Sequence, residues 1–288
     1  MDVYITDFGA FLPNAPIPNE QMERILDRTR QLPSRTRRII LRNNGISRRH
    51  YALDPATGQT THSNAQLTAE AVRQLRPYDN FDPADIECLA CGTSSPDQNM
   101  PGHASMVHGE LGKASCEVVS TAGVCVAGMT ALKYAWLHVA AGLVGNAVAT
   151  GSELSSNYMR ADLCGEIPKP DQLETQPVLA FEADFLRWML SDGAGAAFLT
   201  NRPPLAKPAL KIDWIEIVSF AHRFETCMYA GAVKSEDGRL TGWREFSPEA
   251  ALRQQVMLVK QDVKLLNREI IPTSVDCTLP QLITKYQL

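Results

Sequence analysis

Cys116-Glu117-Val118-Val119-Ser120-Thr121-Ala122-Gly123-Val124-Cys125-Val126-Ala127-Gly128-Met129-Thr130-Ala131-Leu132 is the stretch whose reading decides the fold. Cys116 to Ser120 reads as a short strand and Thr121 to Val124 as a turn. From Cys125 the pattern turns helical and stays so through about Leu143, apolar on nearly every side. A helix of that kind is expected at the centre of a protein.

The segments to either side repeat the alternation. Upstream, Ile86 to Gly92 reads as a buried strand that ends in the polar loop Thr93 to Asn99, with a helix beyond Pro101. Earlier still, Ser63 to Leu75 is a helix that Ser63 or Asn64 can cap, with Leu67, Ala71 and Leu75 on one face. The opening strand Tyr4 to Leu12 is stopped by the proline-rich run 13–18, and a helix follows from Asn19. Downstream, Asn146 to Gly151 is a strand, and Ser191 to Leu199 is a turn leading into another. Strands alternating with helices predict an α/β fold.

The prolines at 203, 204 and 208 mark a linker, so a boundary near residue 205 divides the chain into 1–205 and 206–288. A long irregular insertion, 155–187, interrupts the first part. In the second part Ile212 to Ser219 reads as a strand and Pro248 to Leu266 as one long helix.

Composition excludes several classes. With 44% hydrophobic and 21% charged residues in 288, the chain is globular rather than disordered, collagenous or coiled-coil. A net charge of −4 gives no overall footprint for nucleic acid or anionic lipid. The most apolar stretch, 131–151, is broken by Lys133, His138 and Asn146, so no bilayer span is expected. The N-terminal residues lack a signal-peptide pattern, and seven scattered cysteines suit reduced thiols, which together predict a cytoplasmic protein. One local feature stands out, the basic run from Arg24 to Arg49, which includes Arg35, Arg37, Arg38 and Arg42. It reads either as a solvated helix and loop or as a surface for an acidic partner.

Cys125 stands where a strand gives way to an apolar helix, which places its sulfur at the helix N-terminus, a position that favours an anion. A turn of Thr121, Ala122 and Gly123 leaves room for a substrate carbonyl, and backbone N–H groups there can stabilise an oxyanion. Spacing alone leaves two readings open, a nucleophile and a packed core thiol. Other motifs carry less. Cys88-Leu89-Ala90-Cys91 has CxxC spacing but no second Cys/His pair nearby, so no metal is expected. Gly109-Glu110-Leu111-Gly112-Lys113-Ala114 misplaces the first glycine of a phosphate loop and lacks the Ser/Thr after Lys113. Gly193-Ala194-Gly195 lacks the third glycine of a dinucleotide site, and no GxSxG elbow is present. No cofactor is expected.

Three motifs together resemble one family. Gly123-Val124-Cys125-Val126-Ala127-Gly128-Met129-Thr130-Ala131-Leu132 resembles the nucleophile segment of the β-ketoacyl-ACP synthase III family of the thiolase superfamily. Asp192-Gly193-Ala194-Gly195-Ala196-Ala197 is similar to that family's strand motif, and Gly45-Ile46-Ser47-Arg48-Arg49-His50 to its N-terminal Gly-Ile and Arg-His element. The resemblance covers residues 1 to about 200. It implies a thiolase-like fold with a complete N-terminal βαβαβ half and an incomplete C-terminal half.

The resemblance implies that Cys125 accepts an acyl group from an acyl-CoA or acyl-carrier-protein thioester, and that Claisen condensation with a second, carrier-bound thioester follows. It also implies a His and an Asn from the second half, neither of which is visible, so the chain reads as C-terminally truncated. The positions aligned with the family's adenine-clasping aromatic and Arg are Ile39 and Asn43, which puts a CoA primer in doubt. Arg35 to Arg42 can instead receive an acidic carrier protein. Arg42-Asn43-Asn44 and Asn64 to Val72 look like the subgroup that condenses acyl chains in dialkylresorcinol and related secondary metabolism. Met100 matches a position that reaches across a homodimer interface to shape the partner's acyl pocket, or is an ordinary core methionine. By analogy with the family, the insertion 155–187 lines or covers the acyl channel. Two other functions compete with condensation: a noncatalytic ketosynthase-like scaffold, and a plain acyltransferase that loads Cys125 without decarboxylation.

Overall fold

The computed structural model describes residues 1–26, 37–159, 185–203 and 208–288. Most of the insertion, together with Arg35 and Cys164, lies outside these residues. The chain divides into two compact units. One comprises 1–28, 46–157 and 190–218, the other 29–45, 158–189 and 219–288.

The first unit is built on one mixed sheet. Its strands are β1 (Tyr4–Phe11), β4 (Cys88–Gly92), β5 (Glu117–Thr121), β6 (Asn146–Glu153), β7 (Gly193–Thr200) and the short β8 (Leu210–Lys211). The pairs β2 (Ile17–Pro18) and β3 (Arg48–Arg49) stand apart from it. The sheet order is β5-β4-β6-β7-β1-β8. β4, β5 and β6 run parallel, β7 runs against β6, and β1 against β7. The C-terminal ends of β4, β5, β6 and β1 and the N-terminal end of β7 therefore share one rim of the sheet.

Helices cover both faces. On one side lie α3 (Asn64–Arg73) and α4 (His103–Leu111), which pack Leu67, Val72, Val107 and Leu111 against Leu89, Cys91, Val148 and Phe198. On the other lies α5 (Ala127–Ala140), whose Ala131, Ala135 and Val139 meet Cys88, Ala90, Ala147 and Leu199. The α/β layering expected from the alternation is present. Ser63 caps α3 as its sequence suggested, accepting from the Gln66 N–H while the Gln66 side chain accepts from the Ser63 N–H. α1 (Asn19–Leu26) starts where Pro18 ends the turn.

Three expectations need correction. α5 is not surrounded by protein: its alanine stripe is buried, but Met129 and Leu137 on the other side are 45% and 49% exposed. Small residues at i and i+4 give close approach to a sheet on one face only. In place of the strand expected over 212–219 there is only the short β8, which ends at Lys211. Leu210 and Lys211 pair with Ile5 and Tyr4, and the Ile212 N–H reaches the Val3 carbonyl. Beyond that point the segment runs past the start of β1 and meets no strand among the described residues. The helix expected over 248–266 is two helices, 248–253 and 263–271. The first ends before Gln255, which takes φ +50°, and the chain then extends so that Lys260–Gln261 pairs with Met228–Tyr229 before Asp262 caps the second.

In the second unit α2 (Arg37–Asn44) is described along with this 219–288 region. Lys234 bridges Glu225 and Asp262 at 2.8 and 2.9 Å. Ile270, Ile271, Val275, Leu279 and Ile283 in the last helical segments are exposed.

His103, at the first position of α4, is 2% exposed, and its Nε2 lies 3.2 Å from Thr68 Oγ1 and 3.3 Å from Ser152 Oγ. Thr68 Oγ1 donates to the Asn64 carbonyl, so Nε2 carries the proton that binds it. Nδ1 finds no partner. Burial pushes the imidazole down to about 4, below its ordinary 6.5. The neutral ring is therefore favoured by the fold, and this contribution is full above pH 6.5 and lost as pH falls toward 4. We expect the loss to reach about 3 kcal/mol. Denaturant titrations between pH 7 and 4 should show this component in the native chain and not in His103→Gln. Equal pH slopes for the two would contradict it.

Candidate active site

The shared rim of the sheet is where the sequence-selected cysteine lies. β5 ends at Thr121, and after Ala122 and Gly123 the chain makes a 3-10 turn, Val124–Val126, that leads directly into α5. Cys125 sits in that turn and is exposed. The core-thiol reading is thereby removed. Gly123 has φ +144°, and a Cβ there would stand 2.9 Å from Val126 Cγ1. Val124 has φ +52°, a region that β-branched side chains rarely enter and that costs about 1–3 kcal/mol. Strain of this size is retained where the surroundings fix it.

The surroundings do fix it. The Thr121 hydroxyl donates to the Ala127 carbonyl at 2.8 Å, and Thr130 Oγ1 donates to the Val126 carbonyl at 3.0 Å. α5 is pressed onto the strand ends by three glycines. A Cβ on Gly92 would lie 2.3 Å from the Ala127 carbonyl oxygen, and one on Gly128 would lie 3.3 Å from Gly151 Cα. Only glycine permits such backbone contact. The N-terminal turn of α5 is thus held at the carboxyl ends of β4 and β6, the usual place for a ligand in open α/β sheets.

A polar network occupies the same rim. Asn64 donates through Nδ2 to Thr93 Oγ1 at 2.9 Å and to the Ser95 carbonyl at 2.7 Å. The Asp97 carboxylate caps α3, accepting from the Asn64 and Ala65 N–H groups. Glu153, the last residue of β6, accepts from the Ser94 N–H at 2.8 Å and from Ser95 Oγ at 2.5 Å. Burial raises its carboxyl above the usual carboxylate range, and these hydrogen bonds offset only part of that rise. Asp192, 1% exposed, accepts from the Ala52 N–H, the Ser156 N–H and the Ser156 hydroxyl. It ties the start of β7 to two neighbouring loops, which accounts for the aspartate that opens the 192–197 motif.

Of the other selected residues, one shares this rim and the arginines lie elsewhere. Met100 is 82% exposed in the loop that leaves the C-terminal end of β4, so it shares the rim with Cys125 and is not a core methionine. Arg37, Arg38 and Arg42 lie on α2 in the other unit. Arg37 stands over the Trp188 ring at 5.2 Å, while Arg38 and Arg42 are exposed. Arg35 lies outside the described residues. Arg49, within the same basic run, is not solvated at all: it is buried and its guanidinium donates to Asn19 Oδ1.

Cys88 and Cys91 show why a spacing must be read on its element. Three residues apart on a strand, they point to opposite faces, Cys88 toward α5 and Cys91 toward α3 and α4. Burial pushes both thiols up to about 12. They cannot share one metal ion.

Sequence reading missed Gly92, Thr121 and Glu153. A glycine closing a buried strand, followed by a Thr-Ser-Ser loop, was the available signal for the first. The Glu153 bonds depend on β6 lying beside β4, and the Thr121 bond on how the turn after β5 closes.

Comparison with known proteins bears on the fold. No family model matches the chain. It is 32% identical over 151 residues to β-ketoacyl-acyl-carrier-protein synthase III of Cereibacter sphaeroides, covering 52% of this chain and 43% of that protein. It is 28% identical over 200 residues to the protein of the same name from Jannaschia sp., covering 69% and 52%. The chain thus spans about half the length of the curated relatives it matches. Among solved structures, AbyA1, a tetronic acid condensing enzyme, superposes with a TM-score of 0.66 at 20% identity over 99% of this chain and 74% of that one. The 3-oxoacyl-(acyl carrier protein) synthase III of Pseudomonas aeruginosa gives 0.59 at 19% over 92% and 66%. The chain has the thiolase-like fold of these enzymes, and over about half its length it is similar in sequence to the β-ketoacyl-acyl-carrier-protein synthase III proteins.

Proposed function

We propose that this chain is an acyl-transferring condensing enzyme of the β-ketoacyl-ACP synthase III type, with Cys125 as its acyl-accepting nucleophile. The observation that carries the reading is the exposed cysteine in a strained turn at the N-terminus of α5, on a chain of this ancestry. In this reading the Cys125 thiolate attacks the carbonyl carbon of an acyl thioester. The oxyanion of the tetrahedral intermediate is stabilised by backbone N–H groups at the helix start, and the carrier leaves as its thiol. A second, carrier-bound β-carboxy thioester then loses carbon dioxide, and the resulting carbanion attacks the carbonyl carbon of acyl-Cys125; the new C–C bond forms as the C–S bond breaks and Cys125 leaves as its thiolate.

The finer points belong to the same proposal. Arg38 and Arg42, exposed on one short helix beside the exposed Ile39 and Asn43, suit an acidic acyl carrier protein better than the adenine of CoA. Met100, exposed on the rim, suits a contact with a second copy in a homodimer. We place the activity in the cytoplasm and in secondary metabolism of the dialkylresorcinol kind. No helix of the described residues is long and apolar enough to cross a membrane. No metal or cofactor takes part in the proposed chemistry.

Acyl-carrier-protein and malonyl-carrier-protein thioesters, supplied together, test the reading. Carrier thiol should be released in proportion to enzyme. Carbon dioxide release and a new C–C bond mark condensation, whereas thiol release without them marks the plain acyltransferase. A folded sample that releases no thiol would turn the assignment toward the scaffold reading.

A further inference from the structure

We propose that Glu153 is a positioning residue for acyl transfer at Cys125, an inference that rests on the function just given. Glu153 is well away from Cys125 in sequence, at the end of a different strand, yet an unbroken chain of bonds runs from its carboxylate to the nucleophile turn. The carboxylate accepts from the Ser94 N–H and the Ser95 hydroxyl. The Ser95 hydroxyl oxygen in turn accepts from the Leu154 N–H at 2.8 Å, which closes the loop after β4 onto the end of β6. Within that loop, Thr93 Oγ1 accepts from the Ser95 N–H at 3.1 Å and from Asn64 Nδ2. The Thr93 N–H donates to the Thr121 carbonyl at 3.0 Å, and the Thr121 hydroxyl holds the Ala127 carbonyl. Ala127 is the first residue of α5, two places after Cys125.

Two features make this more than a fold contact. Gly92, the residue before Thr93, lies so close to the start of α5 that a Cβ there would stand 2.3 Å from the Ala127 carbonyl oxygen and 2.6 Å from the Gly128 nitrogen, so a shift of the 93–95 loop is transmitted to the first turn of α5. Val124 holds a strained φ, so the turn relaxes if its supports are loosened. The function affected is specific. Acyl transfer needs the helix-start N–H groups aimed at a developing oxyanion, and small misplacements there cost rate steeply. Alkylation of the same sulfur by iodoacetamide is a direct displacement with no oxyanion and needs only an accessible thiol.

The test compares the native chain with Glu153→Ala and Glu153→Gln, using an acyl-carrier-protein thioester for acylation and iodoacetamide for alkylation of Cys125. Glu153→Ala should lower the acylation rate at saturating thioester about tenfold or more, with the half-saturating concentration within about twofold. Alkylation should also stay within about twofold. Glu153→Gln keeps an acceptor for the Ser94 N–H and should recover to within about threefold of the native rate. Acylation unchanged in Glu153→Ala would overturn the proposal. So would equal falls of acylation and alkylation, the mark of a merely structural role, or a Glu153→Gln variant as slow as Glu153→Ala. A native chain that alkylates at Cys125 but takes no acyl group would instead overturn the function on which the proposal rests.

Discussion

Gly92→Ala should destabilise the first unit by about 3 kcal/mol, at the upper end of what overpacking a core position costs. The new methyl carbon would lie 2.3 Å from the Ala127 carbonyl oxygen, 2.4 Å from its carbon and 2.6 Å from the Gly128 nitrogen. All three are backbone atoms of a helix, so none can swing aside. Either β4 or α5 must move as a body, and α5 carries the Cys125 turn with it. Stability and acyl transfer are therefore expected to fall together. Gly109→Ala supplies the opposite case. Its Cβ meets nothing within 4 Å, and it lies inside α4, so replacing glycine there should stabilise by about 0.5–1 kcal/mol. Urea titrations of both variants would check the pair. A Gly92→Ala chain with the native midpoint would show that α5 is not seated on β4 as described.

The close seat of α5 marks the limit of what the chain discloses by pattern. The order of strands and helices is legible because strand-like and helix-like segments alternate from Ser63 to Gly151, and because Ser63 and the prolines at 13, 16 and 18 mark element ends. Cys125 is legible because a strand, a turn and an apolar helix meet there. What pattern cannot show is the neighbour. Ile212 to Ser219 has the alternation of a strand, but strand formation needs a partner, and β1 begins at Tyr4. Leu252 and Val256 stand at helical spacing, yet Val256 and Leu258 are buried in a non-helical stretch after Arg253. Burial there outweighs local propensity. Met100 and Arg49 show the same limit from the other side, a methionine left exposed and an arginine taken in.

Cys125→Ala carries the other large effect. Removing one exposed sulfur should leave stability within about 0.5 kcal/mol, since no cavity forms and no buried group loses a partner. Acyl loading should disappear entirely, because no other described thiol shares the strained turn at a helix N-terminus. Cys88 and Cys91 are buried, and their thiols are pushed up to about 12, which leaves almost no thiolate at neutral pH. Cys125→Ser keeps the geometry but offers a far weaker nucleophile, and should load slowly at most.

The most direct measurement is the intact mass of the chain after incubation with an acyl-carrier-protein thioester, taken beside Cys125→Ala. The account predicts one acyl group added to the native chain and none to the variant. An adduct of equal extent on both proteins, or none on a folded native chain whose Cys125 reacts with iodoacetamide, would contradict it.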